Sequence, residues 1–347
     1  MADNFALGLL FIVLGGIMEG GFSLGLKHTP KWEWENTWGA CSLVALILVP
    51  WPLALLTAPN LSAIYSMSSS KAILAAWIYG AGWGIGGLFF GMGLAALGLS
   101  LGLSLIMGLV AITGSVVPLI IQNPGQLTRP PGLVLMAGFA VMILGLFICA
   151  KAGRLKEFEM LATQSLAADV AQPKAGFAKG LILCIAAGIL SSLVNFALIF
   201  GADVTQVSLR LGIGPTAANN PLWALVFTSN YIVNAGYCAY LALRNKTFAN
   251  FCRRGAGFNW FVALLMGLVW AGGIVAYGYG ATRLGGLGAI LGFPIMVICA
   301  ILAGNVLGFL TGEWKGTSPK TKRVMASGVF FLFLATAVIA YANRLAA

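Results

Sequence analysis

The sequence contains very little charge. Only 8% of its 347 residues are Asp, Glu, Lys or Arg, whereas soluble domains carry roughly a quarter. It has nine acidic residues and a single histidine, and no pattern of metal ligands or of a nucleophile beside a base stands out. These shortages exclude an ordinary soluble domain and disfavour a membrane-embedded enzyme, which is the least favoured class of function.

Paired cysteines are missing as well. The six cysteines are scattered without a C-x-x-C spacing, and most lie in apolar runs, where a buried thiol behaves as a small hydrophobic group. We therefore predict no disulfide framework, no metal site and no cofactor. The net charge of +11 would suggest a nucleic-acid partner in a soluble chain. Here the basic residues lie in short loops between apolar runs, so the expected partner is the lipid bilayer and not nucleic acid.

Long apolar runs dominate what is present. A hydrocarbon core of roughly 30 Å needs about 20 apolar residues per helix. Ten runs meet this length, at 5–26, 38–57, 72–95, 98–121, 132–150, 177–200, 220–243, 259–281, 286–310 and 325–343. The sequence therefore predicts an all-α polytopic membrane protein with ten transmembrane helices.

The basic residues predict the orientation of these helices. Loops after the odd-numbered runs hold 15 of the 20 Lys and Arg residues, and the other loops and both tails hold the remaining five. Cytoplasmic loops carry the excess of positive charge. We expect the odd-numbered loops in the cytoplasm and both termini outside.

One apolar motif occurs twice. Residues 83–98, WGIGGLFFGMGLAALG, and residues 270–285, WAGGIVAYGYGATRLG, share one Trp, four Gly and one Leu without gaps. Residues 8–17 and 180–189 also share Gly-Leu and Gly-Ile pairs at the same spacing. The chain therefore contains one membrane unit written twice.

The duplication predicts how the chain is divided. We expect a first five-helix repeat at 1–150, a cytoplasmic linker at 151–176 and a second repeat at 177–347. Because each repeat has an odd number of helices, the second enters the membrane from the opposite side. Inverted repeats are common in secondary transporters, where they rock around a site near the midplane.

Several short motifs resemble those of the bacterial L-rhamnose–proton symporter family. Residues 31–38, KWEWENTW, resemble K-W-x-W-E-x-x-W, and residues 152–157, AGRLKE, resemble A-G-x-L-K-E; the W-G-x-G at 83–86 and Glu313-Trp314 also fit. The resemblance implies a drug/metabolite transporter fold and proton-coupled uptake of a deoxysugar, with L-rhamnose as the expected sugar, in a bacterial inner membrane. An exporter or exchanger of another small metabolite is the alternative.

Glu19 is the candidate for proton coupling. It is the only one of the nine acids that lies well within an apolar run. A charge at the bilayer centre costs roughly 2.5–3.5 kcal/mol on insertion scales, so burial favours a protonated carboxyl group. We predict that Glu19 takes a proton from outside and releases it inward. The alternative is a structural acid that bonds to another helix or extends towards the cytoplasmic end.

Aromatic residues are candidates for binding the sugar. The apolar C–H faces of a pyranose ring stack on indole, and the repeat predicts that Trp83 and Trp270 approach each other across its twofold axis. Tyr277 is a further candidate. Packing in the membrane core or at its interface is the competing interpretation.

Polar side chains within the apolar runs are candidates for bonding the sugar hydroxyls. They are Ser23, Asn195, Asn230, Asn234 and Asn305. Asn230 and Asn234 are four residues apart and share one helix face. Hydrogen bonds between helices, worth roughly 0.6 kcal/mol each, explain such residues equally well. The loop at 31–38 likewise has two interpretations, an interfacial anchor or a cytoplasmic gate.

Overall fold

The computed structural model describes residues 2–97, 99–163, 177–285, 288–312 and 314–346. These residues form fourteen α-helices joined by short turns. The helices are α1 (Ala2–Gly21), α2 (Trp34–Leu43), α3 (Pro50–Thr57), α4 (Leu61–Met67), α5 (Ser70–Leu97), α6 (Leu99–Gln122), α7 (Pro130–Thr163), α8 (Phe177–Ser191), α9 (Leu193–Phe200), α10 (Ala202–Arg210), α11 (Asn220–Arg244), α12 (Ala256–Arg283), α13 (Gly288–Leu310) and α14 (Pro319–Ala346).

Eight helical segments of the described chain are long and apolar enough to cross a bilayer. They are Trp34–Thr57, Ser70–Leu94, Leu105–Gln122, Pro130–Met160, Ala178–Arg210, Ala256–Arg283, Gly288–Leu310 and Pro319–Ala342. A shorter apolar segment, Phe5–Gly21, lies in α1. The prediction of an all-α polytopic membrane protein is therefore confirmed. The count of ten stays a prediction, since it also requires α1 and α11 to cross.

Helix α7 continues beyond the boundary expected from its apolar run. It ends at Thr163, so the first part of the predicted linker is helical, and residues 164–176 lie outside the described part of the chain. The carboxylate of Glu159 accepts hydrogen bonds from the Ser318 amide at 2.7 Å and the Thr321 hydroxyl at 2.7 Å. These bonds to the start of α14 hold the polar extension of α7 in place.

Two of the membrane segments change their hydrogen-bonding pattern partway along. Between α2 and α3, a π-helical turn at Val44–Leu48 precedes Pro50, and the Val49 amide donates to the Val44 carbonyl at 3.0 Å. Proline has no N–H and disrupts the helical ladder around it, so the wider turn gives Val49 another acceptor. Between α8 and α9 the break lies at Ser192.

Glycines allow α1 to pack closely against α12. A Cβ atom at Gly15 would lie 2.7 Å from the Gly273 carbonyl oxygen, and one at Gly280 would lie 2.5 Å from the Gly8 carbonyl oxygen. Both distances are shorter than a Cβ atom tolerates, so only glycine fits. Small residues of this kind let membrane helices approach each other closely.

Substitution of Gly280 tests this packing. We expect Gly280→Ala to lower the free energy of unfolding by about 1–3 kcal/mol, because the new methyl group overlaps the α1 backbone. A Cβ atom at Gly91 would meet nothing within 4 Å, so Gly91→Ala should be neutral or slightly stabilising. Thermal unfolding of the two purified variants in detergent measures the difference, and equal stabilities would contradict the close-packing explanation.

Candidate functional site

A central cavity of about 230 Å³ lies among the helices. This volume is many times the roughly 10–15 Å³ that a single water needs. Its walls are mostly apolar and carry a few polar groups, as is usual for a small-molecule site. The polar and tryptophan residues that line it are Glu19, Trp38, Ser42, Trp83, Ser191, Asn230, Asn234 and Trp270.

Two stacked indoles form one wall of this cavity. The ring centroids of Trp83, on α5, and Trp270, on α12, are 5.3 Å apart at an interplanar angle of 22°. Phe227 of α11 packs on both rings, with centroid distances of 5.9 Å and 5.8 Å. Because three helices hold this aromatic group, it presents a preformed apolar surface at the cavity.

Glu19 lies at the cavity next to this wall. Its carboxyl group receives a hydrogen bond from the Trp270 side chain, while its Oε1 atom is buried and has no partner among the described residues. No Lys or Arg in the described ranges forms an ion pair with it. A buried carboxylate without a cation is costly, which makes this a site that can hold and release a proton.

A row of hydrogen bonds crosses the cavity from α2 to α11. The Trp38 indole N–H donates to Asn234 Oδ1 at 2.8 Å, and Asn234 Nδ2 donates to Asn230 Oδ1 at 2.7 Å. The two asparagines share one face, as their spacing predicted. No described protein group accepts from the Asn230 amide nitrogen, so this group is available to a ligand.

The structure places Asn195 and Tyr277 away from the described cavity wall. Both are fully buried, and the Tyr277 hydroxyl donates to Asn195 Oδ1 and, at 3.1 Å, to the Ala289 carbonyl. Asn195 Nδ2 donates to the Gly114 carbonyl at 2.6 Å. Since Pro118 has no N–H, it leaves that carbonyl without its helical donor. The Asn195 amide thus completes the backbone bonding of α6 inside the membrane.

The remaining predicted residues are also not brought to the cavity. Asn305 is half-buried on α13, and its Nδ2 donates to the Ile301 carbonyl of its own helix at 3.0 Å. Ser23 belongs to the 3-10 helix Phe22–His28, and its side chain lies outside the described part of the structure. Their role in binding stays a prediction.

Trp38 is the cavity residue that the sequence reasoning missed. It closes the motif at 31–38 and was expected at the helix boundary, because the apolar run begins there. In the structure α2 begins at Trp34, so Trp38 lies one turn inside the helix, where it stacks on Trp34 with centroids 5.8 Å apart. The repeated Trp in that motif was the available signal.

The same motif is bonded to the segment that follows α11. Glu35 Oε1 accepts from Asn245 Nδ2 at 3.0 Å and from the Thr247 hydroxyl at 2.8 Å. Asn36 exchanges further bonds with this segment: its Nδ2 donates to the Thr247 carbonyl, and its Oδ1 accepts from Asn250 Nδ2, both at 3.0 Å. The two segments are therefore joined next to the Trp38 end of the cavity.

An all-α polytopic membrane protein with a central aromatic cavity and an unpaired membrane carboxyl group has the features of a secondary transporter. The family described as "L-rhamnose-proton symport protein (RhaT)" matches residues 1–344. The chain belongs to that family.

Curated relatives agree over the full length of the chain. It is 25% identical to the L-rhamnose-proton symporter of Escherichia coli (strain 55989 / EAEC) and 24% identical to that of Shigella boydii serotype 18. It is also 25% identical to the protein of the same name from Mannheimia succiniciproducens. Each match covers 98% of this chain and 98% of the relative.

Substitution of Tyr277 distinguishes a packing role from a binding role. We expect Tyr277→Phe to lower the free energy of unfolding by about 1–3 kcal/mol, because two buried acceptors lose their donor. The Tyr279 hydroxyl forms no hydrogen bond within the described residues, so Tyr279→Phe is the matched control and should be nearly neutral. Thermal unfolding measures both; unchanged stability of Tyr277→Phe together with weakened sugar binding would instead favour the binding role.

Proposed function

We propose that this chain takes up L-rhamnose together with a proton through a bacterial inner membrane by alternating access. Membership of the family and the printed names of its relatives support this function. The observation that carries the proposal is the meeting of an unpaired carboxyl group, a stacked pair of indoles and a free amide at one cavity. Neither an export function nor an enzymatic activity has comparable support, since these relatives are named as symporters.

We further propose that the fold consists of ten membrane helices in two inverted repeats. The five of the first half would be α1, α2–α3, α5, α6 and α7, and those of the second α8–α10, α11, α12, α13 and α14. Helix contacts support this division, because α1 packs on α12 and α13 while α8 packs on α5 and α6. These two sets of contacts are exchanged when the halves are exchanged.

Equivalent glycines in the two halves make equivalent contacts. A Cβ atom at Gly273 would meet the Cβ atom of Met18, and one at Gly86 would meet that of Leu190. In the alignment that pairs Glu19 with Ser191, the preceding residues Met18 and Leu190 are partners as well. Odd-numbered loops in the cytoplasm and termini outside complete the proposed topology.

The aromatic wall suits a deoxysugar. A 6-deoxyhexose has apolar C–H faces and a methyl group in addition to its hydroxyls. We assign the apolar face to the indoles of Trp83 and Trp270, and a hydroxyl to the amide of Asn230. The remaining cavity walls are largely aliphatic and aromatic, which fits a sugar that has lost one hydroxyl group.

Trp270 provides a direct connection between the sugar and the proton. It belongs to the proposed sugar platform and also donates to the Glu19 carboxyl group. A sugar that shifts this indole changes the hydrogen bond to Glu19, and with it the stability of the ionised carboxylate. Sugar and proton binding would therefore be coupled within one site.

Substitution of Glu19 tests the proton role. We expect Glu19→Gln to abolish accumulation of L-rhamnose and the rhamnose-induced alkalinisation of the medium around energised cells. Exchange of labelled for unlabelled rhamnose should persist, because glutamine has the size of the protonated acid. Glu19→Asp, which keeps a carboxyl group, should retain some alkalinisation. Accumulation by Glu19→Gln against a gradient would overturn the assignment of Glu19.

Substitution of Trp83 tests the sugar platform. We expect Trp83→Ala to raise the half-saturating rhamnose concentration roughly three- to tenfold, the loss expected for one aromatic contact. Trp77, on the same helix, is partly exposed and does not line the cavity, so Trp77→Ala is the matched control and should behave like the wild type. Uptake assays over a range of rhamnose concentrations measure both, and equal behaviour would argue against stacking on Trp83.

A further inference from the structure

A second pocket of about 190 Å³ lies at the start of α12, and the transport site does not use it. Its walls come from the segment before α2 and from the turn that leads into α12. The residues that line it are Pro30, Lys31, Trp32, Asn250, Arg253, Arg254, Gly255, Ala256, Phe258 and Asn259. None of these residues lines the central cavity, so the two spaces are separate.

Three cations line this pocket without an anionic partner. In the described part of the chain, Lys31, Arg253 and Arg254 form no ion pair with a carboxylate. Helix α12 begins at Ala256, and its N-cap residue Gly255, at φ 93°, supplies no side-chain cap. The first amide groups of a helix attract negative charge, particularly when nothing caps them. Both features favour an anion in the pocket.

Asn259 adds a requirement for a hydrogen-bond donor. Its side chain is 3% exposed, and its Nδ2 donates to the Pro30 carbonyl at 2.8 Å. Its Oδ1, also buried, has no partner within the described residues. A buried acceptor left unpaired costs about 1–3 kcal/mol. A ligand with both an anionic group and an O–H donor would satisfy the whole pocket.

The surroundings of the pocket are apolar and exposed. Phe258 forms part of its wall and is 58% exposed, and Phe261, one turn further along α12, is 55% exposed. Both belong to a helix that is long and apolar enough to cross the membrane. Aromatic side chains at the end of such a helix are typical of the lipid–water interface, so a lipid headgroup can reach the pocket.

We propose that this pocket binds the phosphate of an anionic phospholipid whose headgroup carries a hydroxyl, with phosphatidylglycerol as the simplest case. The phosphate would lie among Lys31, Arg253, Arg254 and the start of α12. The headgroup hydroxyl would donate to Asn259 Oδ1. Basic pockets beside membrane helices are known to hold anionic headgroups. Such a lipid would connect the segment before α2 to the segment before α12.

Native mass spectrometry of the purified protein in detergent tests this site. The wild type should retain phosphatidylglycerol in preference to phosphatidylcholine, and it should bind phosphatidylmethanol, which lacks the hydroxyl, more weakly. Arg253→Gln/Arg254→Gln should weaken phosphatidylglycerol binding roughly tenfold or more, since each cation near the surface contributes appreciably. Lys320→Gln/Lys322→Gln removes two exposed cations near the start of α14 and should leave binding unchanged.

Further arms separate the possible outcomes. Lys31→Gln, a single exposed substitution, provides a second variant in case the double arginine variant fails to fold, and it should also weaken binding. Glycerol 3-phosphate in solution should compete poorly; strong displacement of the lipid would show that the pocket takes a soluble phosphate ester. Equal retention of phosphatidylglycerol by the wild type and the arginine variant, or no preference over phosphatidylcholine, would overturn the proposal.

Discussion

The close contact between α1 and α12 is the constraint on which the cavity depends. Gly8 and Gly15 of α1 face Gly280 and Gly273 of α12 with no room for a side chain. This approach places the Glu19 carboxyl group beside the Trp270 indole, because a Cβ atom at Gly273 would lie only 3.2 Å from Glu19 Oε1. Larger residues would separate the helices and remove the carboxyl group from the aromatic wall.

Polar groups inside the membrane fall into two kinds in this molecule. Asn195 and Tyr277 are satisfied by each other and by backbone carbonyls, so they keep the interior free of unpaired groups around Pro118. Glu19 Oε1 and the Asn230 amide nitrogen have no partner in the described protein and lie at the cavity. Unsatisfied groups are costly in a low-dielectric interior, and here they mark the place where a proton and a ligand bind.

The motif at 31–38 serves three regions of the molecule. Trp38 contributes to the central cavity, Glu35 and Asn36 bond to the segment after α11, and Lys31 and Trp32 line the basic pocket. The position of this segment therefore affects both the cavity and the proposed lipid site. A gate at this end and an anchor at the interface are compatible roles for one segment.

The apolar runs predicted the membrane class and most helix positions, because the bilayer imposes a simple requirement for length and hydropathy. The repeat likewise predicted that Trp83 and Trp270 meet, since equivalent positions approach a twofold axis. Spacing alone could not separate Asn230 and Asn234 from Asn195 and Asn305. All four are amides in apolar runs, and they differ only in whether a neighbouring carbonyl already accepts their hydrogens.

The sequence by itself determined that this chain lies in a membrane, that it contains a duplicated unit and that Glu19 is its solitary mid-span acid. These properties follow from composition and order along the chain. Only the tertiary structure decided that Trp38 reaches the cavity, that Asn195 completes the bonding of α6 and that Asn259 points an unpaired oxygen into a basic pocket. The physical reason is that hydrogen-bond satisfaction depends on groups distant in sequence, which become neighbours only after the helices pack.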